Sequence, residues 1–212
     1  MSKTQSVMVE LGTIAPPFEL LDVVSGRAVG RDDVVAMAWG DDASDGAIRE
    51  GLSADGDGRR GLLVMFICVH CPYVKHAEEE LARIGKSYAG KVGIVAISSN
   101  DLEAYPQDGP EEMKMQAERL GFSFPYLLDD TQEVAREYGA ACTPDFFLFD
   151  KDLKLVYRGQ LDESRPRRGD AGNDLPVDGK DLRTAMDAVV RGVRPEPNGQ
   201  RFSIGCNIKW RE

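Results

Sequence analysis

The sequence predicts a three-layer α/β/α sandwich built on a mixed central β-sheet. Three observations carry that expectation. Two apolar runs, LLVMFI (62–67) and VGIVAIS (92–98), have the length and character of strands buried on both faces. Between them Val74, Ala77, Leu81, Ile84 and Tyr88 recur at steps of three and four, the stripe of an amphipathic helix. This is a βαβ unit, with a right-handed crossover. Later, DFFLFD-KD-LKLVYRGQ alternates and turns like an antiparallel hairpin and is followed by another helix, which makes the sheet mixed.

The remaining elements follow in order. LGTIAPPFELLDVVSGRAVG reads as an extended lead-in, with Phe18 and Leu20 alternating before a turn at Ser25-Gly26. Residues 31–60, rich in Asp and Gly, read as a surface insertion with a short helix around 43–52. Their Asp/Gly spacing is close to that of a calcium loop, but the final glutamate is missing, so no calcium site is expected. PEEMKMQAERLG is a helix with Met113, Ala117 and Leu120 inward and Gly121 as its stop. FPYLLD is a short strand. Asp130 and Glu133 have capping-box spacing and open the helix TQEVAREYG. A polar loop (162–179) leads to a last helix with Leu182, Ala185, Met186 and Val189 on one face, and a tail follows at about 195–212. Residues 1–212 are expected to form a single domain.

Composition narrows the function. A formal charge of −10 over 212 residues argues against general nucleic-acid binding, which needs a basic footprint. The first twenty residues lack the apolar run and cleavage site of a signal peptide. The longest apolar run, LLVMFICV, is far too short to span a bilayer. A cytoplasmic protein without a membrane partner is expected. In that reducing compartment a close cysteine pair is catalytic or metal-binding rather than a structural staple.

Such a pair stands in FICVHCPYVKHAEEEL (66–81), which holds two of the four cysteines and both histidines. Cys68 and Cys71 have C-x-x-C spacing where a buried strand hands over to a helix. The unpaired N–H groups of the helix N-terminus favour a thiolate, so the first cysteine is expected to be an exposed, acidic thiol. Cys71, one turn on, is close enough to form a disulfide with it. His70, between them, favours the thiolate further when protonated. Pro72 suits the first helical turn. His76 falls on the opposite helix face from Val74 and is expected to be solvated.

LGTIAPPFELLD, CVHCPYVKH, YGAACTPDFFLFD, LVYRGQLDESRP and SIGCNIKW, in that order, resemble the thioredoxin-like, peroxiredoxin-related family of the alkyl hydroperoxide reductase/thiol-specific antioxidant type. The resemblance implies the thioredoxin fold. It implies a cis peptide at Thr143-Pro144, facing the cysteine pair and binding substrate there, with Cys68 attacking and Cys71 resolving. Cys142, two residues before Pro144, should then lie near the pair. Cys206, in SIGCNIKW, is an additional exchange partner or a packed thiol, and the packed thiol is the expectation. Two departures stand out. Thioredoxins carry a Trp before the first cysteine and an acid in the preceding strand, whereas Ile67 precedes Cys68 and residues 62–67 hold no acid. Peroxiredoxins place Thr or Ser three residues before the peroxidatic cysteine. Aligned so, Cys71 takes the peroxidatic position and Cys68 that of the Thr.

The first reading is therefore a thiol–disulfide oxidoreductase with catalytic Cys68, Cys71 and His70. It needs no cofactor or metal, but does need a protein or small-molecule disulfide substrate and an external reductant. The second is a thiol peroxidase, with Cys71 oxidised by hydroperoxide and Cys68 resolving. The third is a zinc or copper protein, holding metal with Cys68, Cys71 and a histidine or Cys142.

Overall fold

A computed structural model describes residues 3–38, 61–167 and 172–211. Its elements are β1 (Lys3–Gln5), β2 (Glu19–Asp22), β3 (Ala28–Gly30), α1 (Arg31–Ala38), β4 (Leu62–Phe66), α2 (Pro72–Tyr88), β5 (Gly93–Ser98), a 3-10 turn (Pro106–Asp108), α3 (Pro110–Leu120), β6 (Tyr126–Leu128), α4 (Glu133–Tyr138), β7 (Cys142–Thr143), β8 (Asp145–Phe149), β9 (Leu155–Gly159), α5 (Lys180–Val190) and β10 (Ile204–Asn207).

Seven strands form the main sheet in the order β3-β2-β6-β5-β4-β8-β9. β4, β5 and β6 run parallel, and the other pairs are antiparallel. The mixed sheet and the β8–β9 hairpin are as the apolar pattern predicts. Strand alternation splits the core between two faces. Leu63, Met65 and Ile67 pack with Val74 and Leu81 of α2 and Leu182 and Met186 of α5. Leu62, Val64 and Phe66 pack with Val34 of α1 and Val134 and Tyr138 of α4. Helices on both faces of one sheet make the three layers.

A second, three-stranded antiparallel sheet joins β1, β10 and β7. The tail expected after the last helix thus contains a strand, with Cys206 opposite both Lys3 and Thr143. Residues 31–38 also depart from expectation. They form α1, whose Val34 is fully buried and whose carbonyl lies so close to Gly93 that a Cβ there would stand 2.7 Å from it. The insertion therefore does not begin at residue 31. The helix expected at 43–52, and the Asp/Gly spacing beyond residue 38, lie outside the described residues.

The capping box is displaced by one residue. Asp129, not Asp130, accepts the free amides of α4, from Val134 at 3.4 Å and Ala135 at 2.9 Å. Asp130 instead pairs with Arg211. Gly121 ends α3 in the left-handed conformation, as its position predicts. Leu120, expected inward, is half-buried, while Gln116 is buried and receives a hydrogen bond from Tyr126. Among the described residues no helix is long and apolar enough to cross a membrane.

Candidate active site

The site forms where β4 ends and α2 begins. Pro72 is the first residue of α2, so Cys71 and not Cys68 is the N-cap. This difference of one turn decides which sulfur feels the helix terminus. The positive end of α2 acts on Cys71, and Cys68 belongs to the turn before it. Both sulfurs are shielded, with Cys68 1% and Cys71 0% exposed. The exposed, acidic Cys68 expected from the sequence is not what the structure contains.

Both sulfurs converge on Thr143. Cys68 Sγ lies 3.4 Å from Thr143 Oγ1, and Cys71, as a thiol, donates to the Thr143 carbonyl at 3.2 Å. The Thr143-Pro144 peptide is cis. As a thiolate, Cys71 has other partners. Hydrogen bonds from Cys206, then Cys68, pull its pKa well below the ordinary thiol range against the opposing effect of burial, and Thr143 and the Val74 amide help. Cys68 is pushed the other way by its hydrogen bond to Cys71, by burial and by the nearby Asp108 charge. These opposite shifts favour the thiolate on Cys71 over Cys68.

A buried acid reaches the site from outside β4. Asp108, fully buried at the end of the 3-10 turn, accepts the backbone amides of Val69 (2.9 Å) and His70 (3.0 Å) on Oδ1. Its Oδ2 accepts His70 Nδ1 and, at 2.8 Å, the Asn100 side-chain amide. A carboxylate has no proton to give, so Nδ1 carries the proton of that bond. Nε2 is buried and, among the described residues, has no hydrogen-bond partner. The ring stacks on Tyr105 at 5.4 Å between centroids. A His70 ring nitrogen, an Asp108 oxygen and Cys68 Sγ all lie within 4.8 Å of one another. That set could hold a metal ion in spacing, but Asp108 already accepts four hydrogen bonds, two of which fix the turn between the cysteines. Its direct effect is to fix the His70 ring near Cys68.

The other candidate residues divide. Cys206 is brought to the pair: it is buried in the same apolar cluster, as a packed thiol would be, and its hydrogen bond favours the Cys71 thiolate. Cys142, next to Thr143 in β7, is turned toward the Pro144 carbonyl at 3.7 Å, and burial raises its pKa. His76 is half-buried rather than solvated. Its Nε2 lies 3.1 Å from Ser164 Oγ, which bonds Asp162, and desolvation lowers its pKa. These residues, with Tyr73 and Arg165, line a cleft beside Pro144.

Asp108 and Asn100 escaped sequence reading. In AYPQDGPEE, Asp108 reads as loop punctuation, and nothing local shows that it lies under a turn 38 residues earlier.

No curated protein matches the chain. A crystal structure of an uncharacterized conserved protein from Geobacillus kaustophilus is 48% identical, with a TM-score of 0.82 over 100% of this chain and 97% of that one. A hypothetical protein from Sinorhizobium meliloti 1021 is 40% identical, with a TM-score of 0.81 and 98% of each chain covered. At 16% identity, a putative thiol:disulfide interchange protein DsbE from Chlorobium tepidum shares the thioredoxin fold, with a TM-score of 0.56 over 85% of this chain and 98% of that one. The Redoxin family model matches residues 40–175. With the cysteine pair, the cis-proline and that match in hand, the chain belongs to the Redoxin family of thioredoxin-like proteins.

Proposed function

We propose that this protein is a thiol–disulfide oxidoreductase in which Cys68 attacks a substrate disulfide and Cys71 resolves the mixed disulfide. The observation that carries the reading is the convergence of both sulfurs on Thr143, the residue before cis-Pro144. Cys71 suits its part, because hydrogen bonds from Cys206 and Cys68 favour its thiolate. Cys68 must lose its proton to attack, and we assign that proton to His70, whose ring Asp108 holds near Cys68. The substrate is a protein or small-molecule disulfide meeting the pair beside Thr143 and the cleft next to Pro144. An external reductant returns the Cys68–Cys71 disulfide to dithiol, and we place the cycle in the cytoplasm.

A second reading has its own support. A buried, acidic Cys71 suits a small oxidant better than a bulky disulfide, and makes Cys71 the sulfur that a hydroperoxide would convert to sulfenic acid, with Cys68 resolving. Trapping separates the two. Incubated with glutathione disulfide, Cys71→Ser should accumulate a mixed disulfide at Cys68, and Cys68→Ser should not. Accumulation at Cys71 in Cys68→Ser instead, with hydroperoxide consumed by that variant and not by Cys71→Ser, would reverse the roles.

A further inference from the structure

Cys71 has a cysteine on each side. Antiparallel pairing places Cys206 of β10 opposite Thr143 of β7, so both side chains leave the small sheet on the same face. Thr143 Oγ1 on that face touches Cys68 Sγ, and the Thr143 carbonyl touches Cys71 Sγ. The strands approach unusually closely here. A Cβ on Gly205 would stand 2.0 Å from the Thr143 carbonyl oxygen, so only glycine lets the neighbouring Cys206 come this near. Cys206 is 2% exposed and shares the apolar cluster of Cys68 and Cys71, which shields it from bulk thiols. Its nearest chemistry is internal, and it is the largest single influence favouring the Cys71 thiolate. Cys142 does not compete, because it sits one residue along β7 with its sulfur toward the Pro144 carbonyl.

We propose that Cys206 is a third redox thiol, which takes the disulfide from Cys68 by attacking Cys71. The proposal rests on the reading that oxidation first creates a Cys68–Cys71 disulfide. The Cys206 thiolate attacks Cys71 Sγ, the Cys71–Cys206 bond forms, and the Cys68–Cys71 bond breaks. Cys68 leaves as thiolate and takes up the proton that Cys206 gave up. One disulfide is exchanged for another, so no further oxidant or reductant enters. The product keeps the oxidising equivalents in a buried bridge while Cys68 is again a thiol. It also ties β10 covalently to the start of α2.

The test uses the whole chain without substitution. Reduced protein is oxidised with one equivalent of diamide, acid-quenched at intervals, alkylated with N-ethylmaleimide and digested with trypsin without reduction. Residues 61–75 form one peptide containing Cys68 and Cys71, and residues 202–209 another containing Cys206. Early samples should show 61–75 unalkylated and lighter by two hydrogens. Late samples should show 61–75 joined to 202–209 in most oxidised chains, with the maleimide on Cys68. An internal bridge in 61–75 that persists while Cys206 stays fully alkylated would overturn the relay and leave the Cys68–Cys71 reading intact. Absence of any bridge in 61–75 would overturn that reading and the relay together. In Cys68→Ser, diamide should form the Cys71–Cys206 link directly, and failure there would also overturn the proposal.

Discussion

At the scale of single residues, the site depends on where buried carboxylates find partners. Asp108 is satisfied by two amides, a ring N–H and a side-chain amide, so both its oxygens are paired out of water. Asp145, directly after Pro144 and 1% exposed, is less well supplied. Backbone amides of Ala141, Phe146 and Cys142 favour its charge, but burial outweighs them and pushes its pKa up to about 8 from 3.8. The sign of the linkage follows. Between about pH 4 and pH 8 the folded protein holds a proton on Asp145 that the unfolded chain has released, so stability is greatest below that range and declines as pH rises through it. Asp145→Asn keeps the shape and removes the titration. Denaturant unfolding from pH 5 to pH 8.5 should show the parent losing stability with rising pH, and Asp145→Asn losing clearly less. Equal slopes would mean that Asp145 is ionised in the fold. Neither acid was legible in the sequence as a buried group. Asp145 only opens the predicted strand DFFLFD, and Asp108 precedes a Gly-Pro pair. Burial of an acid depends on partners from distant segments, which no local pattern encodes.

Elements were legible where one face repeats. All five residues of the predicted α2 stripe are buried, and so are Leu182, Ala185, Met186 and Val189 of α5. α2 also buries Glu78 and Glu80, which its stripe does not announce. Gln116 and Arg119 reach Glu78, and Arg83 and Arg183 reach Glu80, so three elements supply what one helix cannot. The short strands are the converse. β7 has two residues and β10 four, too few to show a period, and their pairing is set by a close approach. Gly205→Ala tests that approach. The added methyl meets the Thr143 backbone, which cannot swing aside as a side chain could. Denaturant titration should show a loss of about 1–3 kcal/mol, as for an overfilled core. Alkylation of Cys206 in the native protein should accelerate alongside it. A variant matching the parent in both measurements would show that the β7–β10 contact is loose.

For the whole molecule, the sandwich was readable because two buried strands, an intervening helix and a hairpin leave few ways to arrange a sheet. The second sheet was not, since β1 and β10 are nearly the full described chain apart and neither carries a strong pattern. β10 and the residues after it also brace the site from beyond the small sheet. Lys209 donates its amide to Asn100, the residue that bonds Asp108. Gln132 donates to the Lys209 carbonyl and accepts the Arg211 amide. Removing residues 204–212 should therefore uncover the cysteines without erasing the main sheet. We expect a folded far-UV spectrum and, in timed alkylation, Cys71 labelling faster on the order of tenfold or more, as when a protecting segment opens. Protection equal to that of the parent would mean that the α2 end shields the pair unaided.

The pairing of Cys206 with Thr143 also has a meaning for how the protein is made. Ribosomal synthesis runs from the N-terminus at roughly 5–20 residues per second, so the 135 positions between Cys71 and Cys206 take about 7–27 s to emerge. Once residue 98 has emerged the βαβ unit can form, while the strand that screens its sulfurs has yet to be translated. The nascent chain therefore passes through a stage in which its reactive thiols meet the cellular thiol pool before they meet their own partner. Whatever oxidant or glutathione is present then has the first opportunity to modify Cys68 and Cys71, and the closing strand must dock over the result.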